Sequence, residues 1–168
     1  MLYKTDYDAA IQALVKEQGC PLDWRLIKAQ SIRESGLDPN IPSPAGAVGL
    51  MQLMPDTAAE YGCTDRTDPI QNLRAGIKYM THLYSQFKSE STAERIKFAW
   101  GAYNAGEGNI LQAQAECHKV DLRPDIWNSI AIVLFRITGD NAKQTVEYVK
   151  AIQNILLELL ITEGADHA

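Results

Sequence analysis

The 168 residues are one domain's worth of chain, and 46% hydrophobic, 22% charged and 8% aromatic residues with 11 Gly and 7 Pro exclude a disordered or fibrous protein. Sixteen Lys and Arg stand against 21 Asp and Glu, a net charge of -5, which lacks the cationic excess of a nucleic-acid binder.

Residues 1–8 carry Asp6 and Asp8 where an export signal needs cations followed by an apolar stretch, so synthesis in a cytoplasm without a signal peptide is expected. The apolar stretch from Ile152 to Ile161 is interrupted by Gln153, Asn154 and Glu158 and falls short of the ~18 apolar residues of a membrane span. A core helix and no membrane insertion are expected there. Cys20, Cys63 and Cys117 stand at unrelated spacings and form no ligand pattern with His82, His118 and His167; reduced thiols, no metal and no cofactor are the expectation. No repeat, low-complexity tract or charged linker divides the chain, so it is read as a single domain over 1–168 and as a monomer.

In chain order, Ala10, Ile11, Leu14 and Val15 recur at helical spacing and stop at Gly19-Cys20-Pro21, which predicts a helix over about 6–18. Asp23 is a candidate N-cap for a second helix carrying Trp24, Ile27, Ala29 and Ile32 and ending near Gly36. Residues 37–49, with three Pro and two Gly, read as an irregular loop with room for strand-like pieces. Asp56 is read as the N-cap of a short helix carrying Ala58 and Ala59. Asp68 before Pro69, with Gln71 three residues after the cap, opens a helix whose face is Ile70, Leu73, Ile77, Met80, Tyr84 and Phe87. Ser91 and Glu94 repeat the capping-box pattern ahead of Ile96, Ala99, Trp100 and Tyr103, and Gly106 and Gly108 end that helix. Further helices are predicted at about 110–117, 125–137 and 140–160, the last burying Val146, Val149, Ile152, Leu156 and Leu159 and turning Tyr148 toward a cleft. The chain reads as mainly α.

Glu34 lies about 20° around the second helix from Ile27 and near its C-terminal end. Two readings stand: a carboxylate aimed at apolar surroundings, where desolvation and the helix dipole favour the protonated form of a general acid, or a terminal-turn Glu bent out to solvent. Downstream, Gly46 and Gly49 permit turns that bring main chain close to a ligand. Gln52, Asn104 and Ser43 can both donate and accept hydrogen bonds, and Tyr103, Tyr148 and Trp100 offer rings with polar edges. Core spacing with Ile96 and Ala99 favours packing for Trp100. Met51 and Met54 suit either the core or a cleft wall. The acids nearest Glu34 on its C-terminal side are Asp38 and Asp56.

The run Glu34-Ser35-Gly36-Leu37-Asp38-Pro39-Asn40, followed by Ser43-Pro44-Ala45-Gly46-Ala47-Val48-Gly49-Leu50-Met51-Gln52-Leu53-Met54-Pro55-Asp56-Thr57-Ala58, resembles the lytic transglycosylases with a goose-lysozyme-like fold, the SLT family. The family's Glu-Ser pair, Gly-Leu-Met-Gln motif, Ala-Tyr-Asn motif and late Tyr fall on Glu34-Ser35, Gly49 to Gln52, Ala102-Tyr103-Asn104 and Tyr148-Val149. Asp68-Pro69 with Asn72, Ala75-Gly76 and Tyr79, and Asn104-Ala105-Gly106, look like the family too. The resemblance runs from about Leu22 to Ile152.

It implies a mainly α, lysozyme-like (goose-type/SLT) fold and cleavage of peptidoglycan glycan strands, with Glu34 catalytic and Ser43, Met51, Gln52, Met54, Tyr103, Asn104 and Tyr148 binding substrate. Goose-type lysozymes carry an acid two residues beyond the Gly-Leu-Met-Gln motif, where this chain has Met54. That departure favours a single-acid scheme ending in a 1,6-anhydromuramic product over a water-using muramidase, which needs a second carboxylate. A non-catalytic wall-binding module is the remaining alternative. A short family member without an export signal suggests a phage endolysin, made in the host cytoplasm and acting on the wall in the periplasm.

Overall fold

A computed structural model describes residues 6–41, 43–89 and 91–166. Among them lie eight helices, α1 (Asp8–Glu17), α2 (Trp24–Ser35), α3 (Pro55–Glu60), α4 (Pro69–Gln86), α5 (Thr92–Ala105), α6 (Glu107–Lys119), α7 (Trp127–Thr138) and α8 (Asn141–Asp166). The extended pairing observed is one isolated antiparallel bridge, Val48 with Leu53. The mainly α expectation holds, and the strand-like potential of the loop reduces to that bridge.

Local chemistry sets the helix ends. Asp23 accepts from the Arg25 N–H to open α2, and Gly36, at φ 62°, closes it by donating to Ile32 O. Asp68 Oδ1 accepts from Gln71 N at 2.8 Å to open α4. The expected reciprocal half of that box is absent, because Gln71 Oε1 is taken by Thr64 N, Thr64 Oγ1 and Asp65 N. Ser91 Oγ accepts from Glu94 N at 3.3 Å to open α5, but the Glu94 carboxylate turns to Lys97 Nζ and to the main-chain N–H of Trp127, the first residue of α7. It thus caps a different helix from the one that carries it. Asp56 is not the N-cap of α3: Met54 holds that place, Pro55 occupies the first turn, and Asp56 sits one residue further in. There its charge complements the helix dipole without making the cap hydrogen bond. α6 and α8 both run beyond the predicted limits, α6 beginning directly at Glu107 after Gly106 ends α5.

The chain divides into two compact units, residues 1–81 with 152–168, and residues 82–151, and the division falls inside α4 and α8. In the first, Ile11, Leu14, Ile27, Leu50, Met51, Leu53, Leu73, Ile77 and Met80 are buried. Lys28, itself buried, pairs with Asp8 at 2.7 Å and joins α2 to α1. In the second, α5, α6 and α7 pack together around Phe98, Trp100, Trp127, Ile130 and Val133. The rings of Phe87 and Phe98 lie 5.8 Å apart and those of Phe98 and Trp127 6.2 Å apart, within the range of favourable tilted pairs. Gly101 is required by this packing, since a Cβ there would stand 2.5 Å from the Trp127 ring.

α8 buries Val149, Ile152 and Leu159 as its spacing predicts. Val146 and Leu156 are only half-buried, and Leu157, Leu160 and Ile161 are exposed. No helix among the described residues is long and apolar enough to cross a membrane.

Candidate active site

Glu34 occupies the last turn of α2, one residue before Ser35 and two before the Gly36 cap. It is half-buried, between the two orientations that periodicity allows. Ser35 is buried, its hydroxyl 2.9 Å from Leu50 O and 3.1 Å from Ser31 O. That contact staples the end of α2 to the Gly-Leu-Met-Gln turn, so two motifs separated in sequence form one structural element.

The turn is held from its other sides as well. Asn72 of α4 is wholly buried: its Nδ2 donates to Val48 O and Arg66 O at 2.9 and 3.0 Å, and its Oδ1 accepts from Met51 N at 2.8 Å. Arg66 Nη1 donates to Gly46 O at 2.7 Å and Leu53 O at 3.0 Å. Gly49 has φ 87°, and a Cβ there would lie 2.2 Å from Asn72 Nδ2 and 2.4 Å from Arg66 O; only glycine fits. Gln52 keeps a positive φ of 46° without being glycine. Its main-chain N–H and Nε2 both donate to Gly49 O, at 3.1 and 3.0 Å, which offsets the strain. Asn72 entered the sequence reading only by family likeness; its role as a clamp rests on contacts 21 and 24 residues away.

The structure separates the two methionines. Met51 is fully buried against Ser31, with Ser31 Oγ 3.1 Å from its Sδ, and packs under Gly76, where a Cβ would come within 2.8 Å of Met51 Cγ. As a substrate-contacting residue Met51 is therefore corrected: its side chain presents no surface and serves to seat the turn. Met54 is 44% exposed at the start of α3. Ser43 is half-buried; its Oγ accepts from Ala45 N at 3.2 Å and its carbonyl from Gly46 N at 3.0 Å, which shapes the loop ahead of the motif. Asp38 and Asp56 are both exposed, and Asp38 Oδ1 accepts from Asn40 N.

In the second unit Tyr103 and Asn104 are half-buried in the last turn of α5. Asn104 Oδ1 accepts from Thr145 Oγ1 at 2.9 Å, and Asn104 lines a cavity of about 200 Å³ with Asn109, Asn141, Gln144 and Thr145. These amides and hydroxyls suit a ligand rich in hydroxyl and acetamido groups. Trp100 lies in the core, as its spacing predicts. Tyr148 is 2% exposed, so its ring is closed off from solvent. It falls on the buried face of α8 beside Thr145, Val149 and Ile152.

Burial pushes the Cys63 and Cys117 thiols up from their ordinary value, with the neighbouring Asp65 and Glu116 adding to the effect. Both are poor nucleophiles at neutral pH.

The Transglycosylase SLT domain family model matches residues 12–125. It starts earlier than the resemblance carried by the motifs and stops short of Tyr148. Membrane-bound lytic murein transglycosylase F of Salmonella arizonae is 39% identical over 121 residues, covering 71% of this chain and 24% of that protein. The protein of the same name from Maricaulis maris is 33% identical over 147 residues, 87% of this chain and 31% of its own length. Among solved structures, the 70 kDa soluble lytic transglycosylase of Escherichia coli matches with a TM-score of 0.72 at 22% identity, covering 94% of this chain and 25% of that one. An inactive Glu-to-Gln mutant of lytic transglycosylase Slt from Pseudomonas aeruginosa matches with a TM-score of 0.68 at 29% identity, again over 94% of this chain and 25% of that one. The chain spans about a quarter to a third of the length of these relatives. With a mainly α, lysozyme-like architecture and a family match over most of its length, the chain belongs to the Transglycosylase SLT family.

Proposed function

We propose that this chain cleaves the β-1,4 bond between N-acetylmuramic acid and N-acetylglucosamine in peptidoglycan as a lytic transglycosylase. The observation that carries the reading is the stapling of the Glu34-Ser35 end of α2 to the Gly49–Gln52 turn through Ser35 Oγ and Leu50 O, within a chain of this family. The names of the relatives support the reaction class, and the inactivity of the Pseudomonas mutant supports a glutamate at its centre.

In the first step protonated Glu34 gives its proton to the glycosidic oxygen, the C1–O bond breaks, and the muramyl N-acetyl oxygen bonds to C1. In the second, the 6-hydroxyl oxygen bonds to C1 as the bond from the acetyl oxygen breaks, and the Glu34 carboxylate takes the hydroxyl proton. Glu34 ends protonated as it began, and no water is consumed. Ser43 is assigned to orient the N-acetyl group or the 6-hydroxyl. Gln52, Tyr103 and Asn104 are assigned to bind sugar, with Met54 as an apolar contact. A water-using muramidase would need a second carboxylate at glycosidase distance, and the exposed Asp38 and Asp56 are the residues to replace in testing it.

Digestion of purified sacculi in heavy-oxygen water tests the reaction. Muropeptides one water lighter than reducing-end products, with no label at C1, are expected; label at C1 would overturn the transglycosylase reading. Use as a phage endolysin acting in the periplasm is a narrower proposal. It predicts lysis of Gram-negative cells when the chain is co-expressed with a membrane pore and none when it is expressed alone. Lysis without the pore would contradict it.

A further inference from the structure

A second polar cavity lies in the second unit and is lined by none of the residues assigned to catalysis. Its volume is about 570 Å³, and it is lined by Ser85, Lys88, Ser89, Arg95 and Asp125. Arg95 is held in place: its Nε donates to Tyr84 O at 2.7 Å and its guanidinium sits 4.0 Å from the Tyr84 ring centroid. Those contacts fix the plane of the group, and its two terminal nitrogens meet no acceptor among the described residues. Lys88, on the same cavity, has no carboxylate partner among the described residues either. The serines contribute little further donor capacity, since Ser85 Oγ donates to His82 O and Ser89 Oγ to Asp125 O. Asp125 stays ionised and is engaged elsewhere: its carboxylate holds the Arg123 guanidinium, which keeps its pKa below the usual carboxylate range. Two cations thus share one cavity without a counter-ion from the described residues, in a chain whose net charge is -5.

We propose that this cavity binds a free carboxylate of the peptide stems carried by peptidoglycan, with Arg95 as the oriented donor and Lys88 as the second charge. The proposal rests on the peptidoglycan reading above. A carboxylate fits better than a phosphate, because Asp125 on the same rim would repel a dianion more strongly than a single charge, while the planar guanidinium matches a planar carboxylate. The cavity is also much larger than one ion requires, which suits the end of a peptide. Stems recur along the glycan, so the one bound here need not belong to the sugar being cleaved.

The test uses the free stem tetrapeptide as probe, alongside the same peptide with its carboxylates amidated, on the full chain and on Lys88→Gln and Arg95→Gln. Lys88 is exposed and its side chain makes no hydrogen bond or ion pair among the described residues, so its variant keeps the test valid if Arg95→Gln folds poorly. About a 5-fold loss of tetrapeptide affinity in Lys88→Gln is expected, on the scale of one exposed charge pair, with a larger loss in Arg95→Gln and little binding of the amidated peptide. On peptide-bearing sacculi the KM of Lys88→Gln should rise by a similar factor with kcat unchanged, while cleavage of glycan stripped of its peptides stays the same. Equal affinity of Lys88→Gln and the full chain, equal binding of the amidated peptide, or inorganic phosphate bound at Lys88 and Arg95 in place of the tetrapeptide would each overturn the proposal. If the full chain cleaves neither substrate, the proposed function fails instead, and the tetrapeptide measurement still decides whether this cavity is a carboxylate site.

Discussion

Residues 48–53 contain no regular element beyond one bridge, yet Asn72, Ser35 and Arg66 place hydrogen bonds on the carbonyls of Val48, Leu50 and Leu53. The packed helices α5, α6 and α7 are held differently, by Phe87, Phe98 and Trp127 in ring contact and by Gly101 against Trp127. In the first region, order comes from a few directional bonds supplied by remote side chains, and removing one leaves several buried groups unpaired. In the second it comes from many small contacts, so damage should scale with the volume displaced. A turn that must present main chain to a substrate at fixed positions, the role proposed for this one, suits the first kind of support.

The largest expected effect separates chemistry from that support. Glu34→Gln keeps the size of the side chain but cannot shuttle a proton, so turnover on sacculi should fall at least ~100-fold, with thermal unfolding and circular dichroism close to those of the unchanged chain. Near-normal lysis by a folded Glu34→Gln protein would remove Glu34 from the mechanism.

Next comes the clamp. Asn72→Ala removes the side-chain bonds to Val48 O, Arg66 O and Met51 N at once, leaving Val48 O with the Leu53 N–H alone, and the expected cost is about 3 kcal/mol, read from urea unfolding. Activity should fall as well, because the turn loses its fixed shape. A loss below 1 kcal/mol would show that water takes over those three groups and that the clamp is not what orders the turn.

Gly101→Ala probes the other region. The new Cβ meets the Trp127 ring, and overpacking of this kind costs about 1–3 kcal/mol. The comparison predicts that the urea midpoint falls while the activity of the remaining folded protein stays close to normal. An activity loss as large as that of Asn72→Ala would mean that the aromatic packing also sets the catalytic geometry.

How far these supports were legible depends on how local they are. Gly36, Asp23 and Pro69 act on the helix in which they sit, and their residue types alone place the ends of α2 and α4 correctly. Gln71 and Glu94 carry the right residue types for a capping box, but their side chains find better partners elsewhere, in Thr64 and Asp65 and in Lys97 and Trp127. No local rule anticipates that competition. The Glu34-Ser35 and Gly49–Gln52 motifs were visible individually, whereas the Ser35 to Leu50 bond joining them spans 15 residues and emerges only in the fold. Met51 shows the limit from the other side: a thioether packs equally well in a core or on a cleft wall, so its burial was open until the neighbouring Ser31 and Gly76 were placed.

The smallest expected effect concerns a polar group that the first unit does not satisfy. Gln30 lies on α2, one turn before Glu34, with no exposed surface, and neither its Nε2 nor its Oε1 meets a protein partner. Its buried neighbours Ile27 and Ala29 are apolar. An amide desolvated without compensation is destabilising, and an apolar side chain of similar volume removes that penalty without opening a cavity. Gln30→Leu should therefore raise stability by about 1 kcal/mol, seen as a higher urea midpoint with an unchanged slope, and leave the turnover of the Glu34 site as it was. A lower midpoint would indicate that the amide is satisfied through buried water, whose hydrogen bonds the leucine cannot replace. In that case this part of the first unit, like the turn at residues 48–53, would owe its order to directional bonds rather than to packing.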